Sequence, residues 1–277
     1  MRRAAIASLT LLGLTLTSCA APVFNLRARF LPGEVREYRL VADATVRISA
    51  GRASTSERSR LLATTTIAVV GITGEGTTIT LTLTPTALTR DGKAAQTPVA
   101  QQIRMTVAPD GRVTEVTGGG DQNAPLEASD IEDLVPLVGP PVPPGRVHLA
   151  DRWSRSVAGP TPAPSATPSS GETPAPTGTE DARLAALRIV DGYDCAVIAT
   201  STRRPVVRER TVGGQPLRLE GVEFAAGEIV FAFREGFPVS VGSDSEARLG
   251  ISGGSAQGGA VVIETKTTLT LVRRSTP

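Results

Sequence analysis

The sequence predicts a mainly β protein: a large curved antiparallel sheet, half-barrel-like, with one or two short helices and a layout that admits two similar halves. Three observations lead there. Apolar and polar residues alternate with period 2 over long stretches. Turn residues such as Pro109-Asp110-Gly111 and Asp191-Gly192 punctuate them. A helix-start pattern stands out at a single place, Ser129-Asp130-Ile131-Glu132, a capping box followed by Leu134 and Val135.

In order along the chain, Tyr38, Leu40, Ala42, Ala44, Val46 and Ile48 share one parity, with Arg39, Asp43, Thr45, Arg47 and Ser49 on the other. That is a strand of about 14 residues, roughly 45 Å long. Leu61–Ile72 is a second strand, with the turn at 71–76. In the third, Ile79, Leu81 and Leu83 alternate with Thr78, Thr80, Thr82 and Thr84, and threonine suits a solvated sheet face. Ile103, Met105 and Val107 begin a fourth, and Val113–Thr117 returns after Pro109-Asp110-Gly111. Prolines 136, 140, 141, 143 and 144 keep the next segment from being helix interior or central strand. Strand pattern resumes over Trp153–Val157, Leu184–Val190, Cys195–Thr202, Glu223–Phe233, Phe237–Val241, Arg248–Ser252 and Ala260–Arg273. The strand–turn–strand run through Val69-Val70-Gly71-Ile72 is echoed by Ile189-Val190-Asp191-Gly192, which motivates the two-halves layout.

Composition excludes several classes. The chain has 277 residues, 40% hydrophobic and 20% charged, too apolar to be wholly disordered. Two cysteines cannot make a disulfide scaffold, and a single histidine leaves little for a zinc site. Two regions stand apart. Residues 1–18 have Arg2-Arg3 and then an apolar run of about 14 residues, the length of a signal-peptide core and short for a bilayer span. Gly159–Thr179 is rich in Pro, Thr, Ala and Ser, with no large apolar residue to offset ordering entropy. The expected organisation is therefore a signal peptide (1–18), a tether (19–26), a first part of the β domain (27–158), a disordered insertion (159–182) and a second part (183–277).

Leu16-Thr17-Ser18-Cys19 resembles the lipobox of bacterial lipoproteins. The resemblance implies that Cys19 carries a diacylglycerol, the palmitate-type anchor, and becomes the new N-terminus. The protein is then expected on the extracytoplasmic side of a bacterial cell membrane. Removing residues 1–18 removes two arginines and leaves 27 basic against 27 acidic side chains. The formal charge of +2 thus belongs to targeting and gives no reason to expect nucleic acid as a partner. Cys195 is left as the lone thiol, in an alternating run that reads as core.

The mature chain resembles an uncharacterised family of bacterial lipoproteins. The pieces that carry this are Phe30-Leu31-Pro32-Gly33-Glu34 before Tyr38, Leu134-Val135-Pro136 with Pro140–Gly145 and Asp151-Arg152-Trp153, and Asp191–Ile198. Its general look is similar to the lipoprotein-carrier half-barrels, which implies a curved sheet able to hold an acyl chain.

The residues offer no catalytic set. His148 lacks a Gly-x-Ser-x-Gly elbow, and its pairing with Cys195 is the weaker reading of both residues. Asp130, Glu132 and Asp133 read as favourable charge at a helix start. Ser243-Asp244-Ser245-Glu246 reads as a turn without calcium-loop spacing, and Gly118-Gly119-Gly120 lacks the Lys-Ser/Thr of a phosphate loop. Arg203, Arg204, Arg208 and Arg210 form a basic run diluted by Glu209 and Glu220. The expectation is a non-enzymatic, membrane-anchored lipoprotein that needs no cofactor or metal. It would hold a lipid or other apolar ligand in the concave sheet, lined by Tyr38, Leu40, Val46, Ile79, Leu81 and Leu83. The alternative is a structural or protein-interaction lipoprotein of the envelope with no ligand cavity.

Overall fold

Period-2 patterning becomes almost unbroken strand in the computed structural model, which describes residues 22–74, 76–108, 113–118, 140–143, 145–158, 177–212, 215–252 and 258–276. The strands are β1 (Phe24–Asn25), β2 (Val35–Ala50), β3 (Ala53–Ile72), β4 (Thr77–Arg90), β5 (Lys93–Ala95), β6 (Gln101–Val107) and β7 (Val113–Gly118). They continue as β8 (Arg146–Val147), β9 (Arg152–Ala158), β10 (Thr177–Val190), β11 (Tyr193–Val212), β12 (Gln215–Ala232), β13 (Phe237–Ser252) and β14 (Ala260–Ser275).

Twelve strands form one antiparallel sheet, in the order β7-β6-β4-β3-β2-β14-β13-β12-β11-β10-β9, with β5 added on β4. The chain starts in the middle, walks out to β7, reappears at the far edge as β9 and walks back until β14 pairs with β2. This is the order of an up-and-down barrel opened between β7 and β9, so the sheet curves without closing. The two halves are both meanders, and the echoed hairpins β3–β4 and β10–β11 turn at the same end of the sheet. A separate ladder joins β1 to β8.

Several boundaries differ from the sequence reading. The segment at Ser243–Glu246 is not a turn but the middle of β13. There Asp244 and Glu246 point to one face, while Ser243 and Ser245 point to the other, so polarity on both faces hid an extended strand. For the same reason β3 begins eight residues earlier than expected, through Ser, Glu and Arg. Strand β10 begins at Thr177, inside the segment assigned to the insertion, because Thr177–Arg183 pair with β9. The tether is also shorter: Phe24 and Asn25 pair with Val147 and Arg146, and Leu26 is fully buried. The helix expected at 129–135, the turn at 109–111 and most of the insertion lie outside the described residues, as do Cys19 and the signal segment. Among the described residues there is no helix, and none long and apolar enough to cross a membrane.

The main core lies on one face of the sheet. Tyr38 and Leu40 of β2 meet Ile67 of β3, Ile79, Leu81 and Leu83 of β4, Ile103 and Met105 of β6, Leu184, Ile198, Phe231 and Leu269. Leu26 and Val147 belong to the same cluster, with Phe24, Phe30 and Trp153 packed on it. A second apolar cluster holds the far end of the same face: Val206, Ala247, Leu249, Ile251 and Val261, with Val46 and Ile263 against it. Between the clusters, cross-strand rows carry small residues, such as Ala42, Thr267, Ser243, Gly227, Thr200 and Ala182. Backbone approach explains one of them. A Cβ on Gly227 would come 2.6 Å from the Gly242 carbonyl oxygen.

The pairing of β2 with β14, the first and last strands of the large sheet, is fastened by a buried ion cluster. Glu34, just before β2, is fully buried and Arg36 nearly so. Arg36 donates from Nε to Glu34 Oε1 (3.0 Å) and from Nη2 to Oε2 (2.7 Å) and the Arg29 carbonyl (2.6 Å). Arg274 of β14 donates to Glu34 Oε1 at 2.5 Å, and the Leu31 N–H donates to Oε2 at 3.1 Å. Both guanidinium groups lie over the Phe237 ring, at 5.0 and 4.7 Å from its centroid.

Candidate functional site

The face opposite the core carries a groove of about 1150 Å³. Most of its lining is two adjacent cross-strand rows over β10, β11, β12, β13, β14 and β2, with Pro205 and Val222 of the next row beside them. One row is Asp181, Ser201, Ala226, Asp244, Lys266 and Asp43. The other is Thr179, Arg203, Phe224, Glu246, Glu264 and Thr45. Partners across an antiparallel ladder share a face, so each row is a continuous band of side chains. Five strand spacings give the groove a length of about 24 Å.

Its electrostatics are those of matched pairs. Arg47 Nη1 contacts Glu264 Oε1 at 2.6 Å, Lys266 Nζ approaches Asp244 Oδ1 at 3.7 Å, and Arg60 Nε approaches Asp43 Oδ1 at 3.7 Å. Arg248 pairs with Glu246. The Ser154 hydroxyl donates to Asp181 Oδ1 at 2.5 Å. The apolar members of the lining include Ala226, Pro205, Val222 and, largest of them, Phe224. Phe224 is 48% exposed and carries the Arg203 guanidinium 5.7 Å from its ring centroid.

The six residues expected to line a ligand site do not line this groove. Tyr38, Leu40, Ile79, Leu81 and Leu83 are brought together, but inside the main core at 0–4% exposure. Val46 lies apart, against the second apolar cluster. Tyr38 donates its hydroxyl to the Pro238 carbonyl at 3.0 Å, and burial pushes its pKa up to about 12. Two polar groups stay unpartnered on this apolar face: Thr65 Oγ1 and the Gln101 side-chain amide, on either side of Leu83 in the same row.

The remaining candidates separate. Cys195 packs against Val230, Ala232, Phe237 and Val239, and burial pushes its thiol pKa up, away from nucleophilic character. His148 is exposed beside Asp151, with Nδ1 3.4 Å from Oδ2. Arg203 and Arg204 point to opposite faces. Arg204 is held by Glu223 at 2.7 Å on the core side, near a second inward pair, Arg155–Glu180 at 2.5 Å. No group of three or more metal-ligating side chains occurs among the described residues. Sequence reasoning missed the groove because its residues are scattered over six strands. The available signal was Phe224, a large aromatic on the polar parity of β12.

No family model matches the chain, and no curated protein matches it. Solved structures resemble it in part. Lipovitellin, in a structure describing its lipid–protein interactions, is 13% identical with a TM-score of 0.44; the match covers 89% of this chain and 26% of that one. The chain thus spans about a quarter of lipovitellin's length. An exported protein with a YmcC-like fold from Bacteroides fragilis is 10% identical, TM-score 0.22, covering 91% and 99%. A DUF1329 family protein from Desulfovibrio piger is 12% identical, TM-score 0.17, covering 84% of each chain. At these scores the likeness is one of antiparallel sheet and carries no argument about ligands.

Proposed function

We propose that this protein is a lipid-anchored, extracytoplasmic, non-catalytic binding protein of the bacterial envelope, which engages a polar partner along the six-strand groove. The carrying observation is the division of the sheet into two faces. The face expected to hold an acyl chain is filled by its own core, while the concavity lies on the other face among paired charges, hydroxyls and a few apolar side chains, of which the exposed Phe224 is the largest. A groove of that chemistry suits a partner that exchanges hydrogen bonds and ion pairs better than it suits a hydrocarbon chain. The lipobox at Cys19 supports the anchor.

A second reading keeps the apolar ligand. The unpartnered Thr65 and Gln101 groups could receive the polar end of an amphiphile whose tail enters beside Leu83. One experiment separates the two. Cells are grown with an alkyne palmitate analogue, and wild type and Cys19→Ala are purified under mild conditions for native mass spectrometry. The groove reading expects label on wild type alone and no further non-covalent mass. Equal labelling of both sinks the anchor, and a co-purified lipid mass favours the amphiphile reading.

A further inference from the structure

The two ends of the sheet differ in chemistry, and the difference points to a surface. By antiparallel register, one end collects the start of β2, the end of β14, and the β3–β4, β10–β11 and β12–β13 turns. The chain between Leu26 and β2 runs along this end, where the Arg29 N–H donates to the Gly236 carbonyl at 2.8 Å. Val23, Leu31, Val70, Ile72, Ile189 and Val272 are exposed there, 44–76% open. Arg27, Arg29, Arg234 and Arg273 are exposed among them, Arg234 in an ion pair with Asp194 and Arg273 in one with Glu37. The opposite end, at the 51–52 and 91–92 turns, presents Arg52, Arg58, Arg90, Asp91 and Lys93 instead; among the described residues Ile48 is exposed near it, and Val99 on the link from β5 to β6.

We propose that the aliphatic and arginine-studded end of the sheet rests in the phospholipid headgroup layer of the bilayer that holds Cys19. This rests on the lipid-anchor reading above. The tether fixes the occupant. From Cys19 to Pro22 there are three residues, a reach of about 10 Å at full extension, and the chain enters the fold at this end. A domain held so closely cannot turn its other end to the membrane. Aliphatic side chains enter the interfacial zone at a gain for each buried carbon. Arginine stems cover apolar surface while their guanidinium groups reach phosphate oxygens in pairs.

The test uses the full-length protein reconstituted into vesicles of phosphatidylcholine and phosphatidylglycerol. A bimane fluorophore is placed at Ile72→Cys, at Ile189→Cys or, at the opposite end, at Thr55→Cys; Cys195 is buried and shielded from labelling. Lipids carrying a nitroxide near the headgroup should quench the first two several-fold more than the third. Equal quenching at all three overturns the proposal. Adding a chain that begins at Ala20, with neither the 1–18 segment nor Cys19, to the same vesicles isolates the surface from the anchor. It should still co-float, and the same chain with Ile72→Asp and Ile189→Asp should not. If wild type carries no diacylglycerol mass, the anchor reading fails on its own, while co-flotation still decides whether this end binds lipid.

Discussion

Strands β2 and β14 are joined by charge at both ends of their ladder, and the two joints differ in kind. At the end where β2 begins, Glu34 and Arg36 are buried and Arg274 is partly buried, with Glu34 accepting from both arginines and from a backbone N–H. At the other end Arg47 and Glu264 meet in a bidentate pair, Nη1–Oε1 at 2.6 Å and Nη2–Oε2 at 3.0 Å, with about half of each side chain in water. The bond lengths are alike, but the surroundings are not. Taking ions out of water is costly, and removing one partner of a buried set strands the others. An exposed pair exchanges its contact for hydration at little net gain. Across this ladder the buried set holds the register of β2 and β14, while the exposed pair, like Arg273–Glu37 beside the buried set, stays open to water and to a partner.

The strongest way to break the comparison is Glu34→Ala. It should cost about 3–5 kcal/mol, read as a lower urea midpoint with unchanged slope, because Arg36 stays buried and Arg274 partly buried over Phe237 without their carboxylate. A cost as small as that of a surface pair would show that the cluster is solvated in solution. Acid sharpens the same point. Burial raises the Glu34 pKa, but Arg36, Arg274 and the Leu31 N–H together lower it further, so the carboxyl sits below its usual 4.5. A depressed carboxylate contributes stability that is present above its unfolded pKa and lost as pH falls through the folded one. Wild type should therefore lose stability below about pH 4.5 more steeply than Glu34→Gln, which has no proton to take up there. Parallel stability–pH curves for the two proteins would refute this assignment.

Beside the cluster, Tyr38 donates to the Pro238 carbonyl and ties β2 to the start of β13. Tyr38→Phe keeps the ring and strands a buried carbonyl, so it should cost about 1–3 kcal/mol, less than Glu34→Ala. This hierarchy was only partly legible in the sequence. Tyr38 and Leu40 announce an inward face by alternation, as do Ile79, Leu81 and Leu83. Glu34 and Arg36 share that parity, but no local pattern marks them as inward-facing, because Arg274, more than two hundred positions later, supplies the second guanidinium. The groove was hidden for a related reason. Asp43, Asp244 and Lys266 are ordinary polar positions one at a time, and only the register of six strands sets them in one row. In Ser243–Glu246 the small inward serines even mimicked a turn, since the waist of the core face needs small residues rather than hydrophobic ones.

The smallest expected effect belongs to Arg47→Ala. The pair is bidentate, the geometry most able to lift an exposed ion pair above background. It also crosses the β2–β14 ladder at a point where the two strands are already registered by backbone hydrogen bonds, so it need not specify their pairing. Solvent screening then sets the scale, at about 0–1 kcal/mol and less in high salt. A double-mutant cycle of Arg47→Ala and Glu264→Ala at low and high salt measures it. If the groove binds a charged partner, this cheap pair is the one it should displace. Arg47→Ala and Glu264→Ala should then change partner affinity in opposite directions while leaving the unfolding midpoint nearly fixed. A coupling energy as large as that of the Glu34 cluster would instead make the pair a second structural fastening, and the groove floor would be too rigid at that point to trade its contacts.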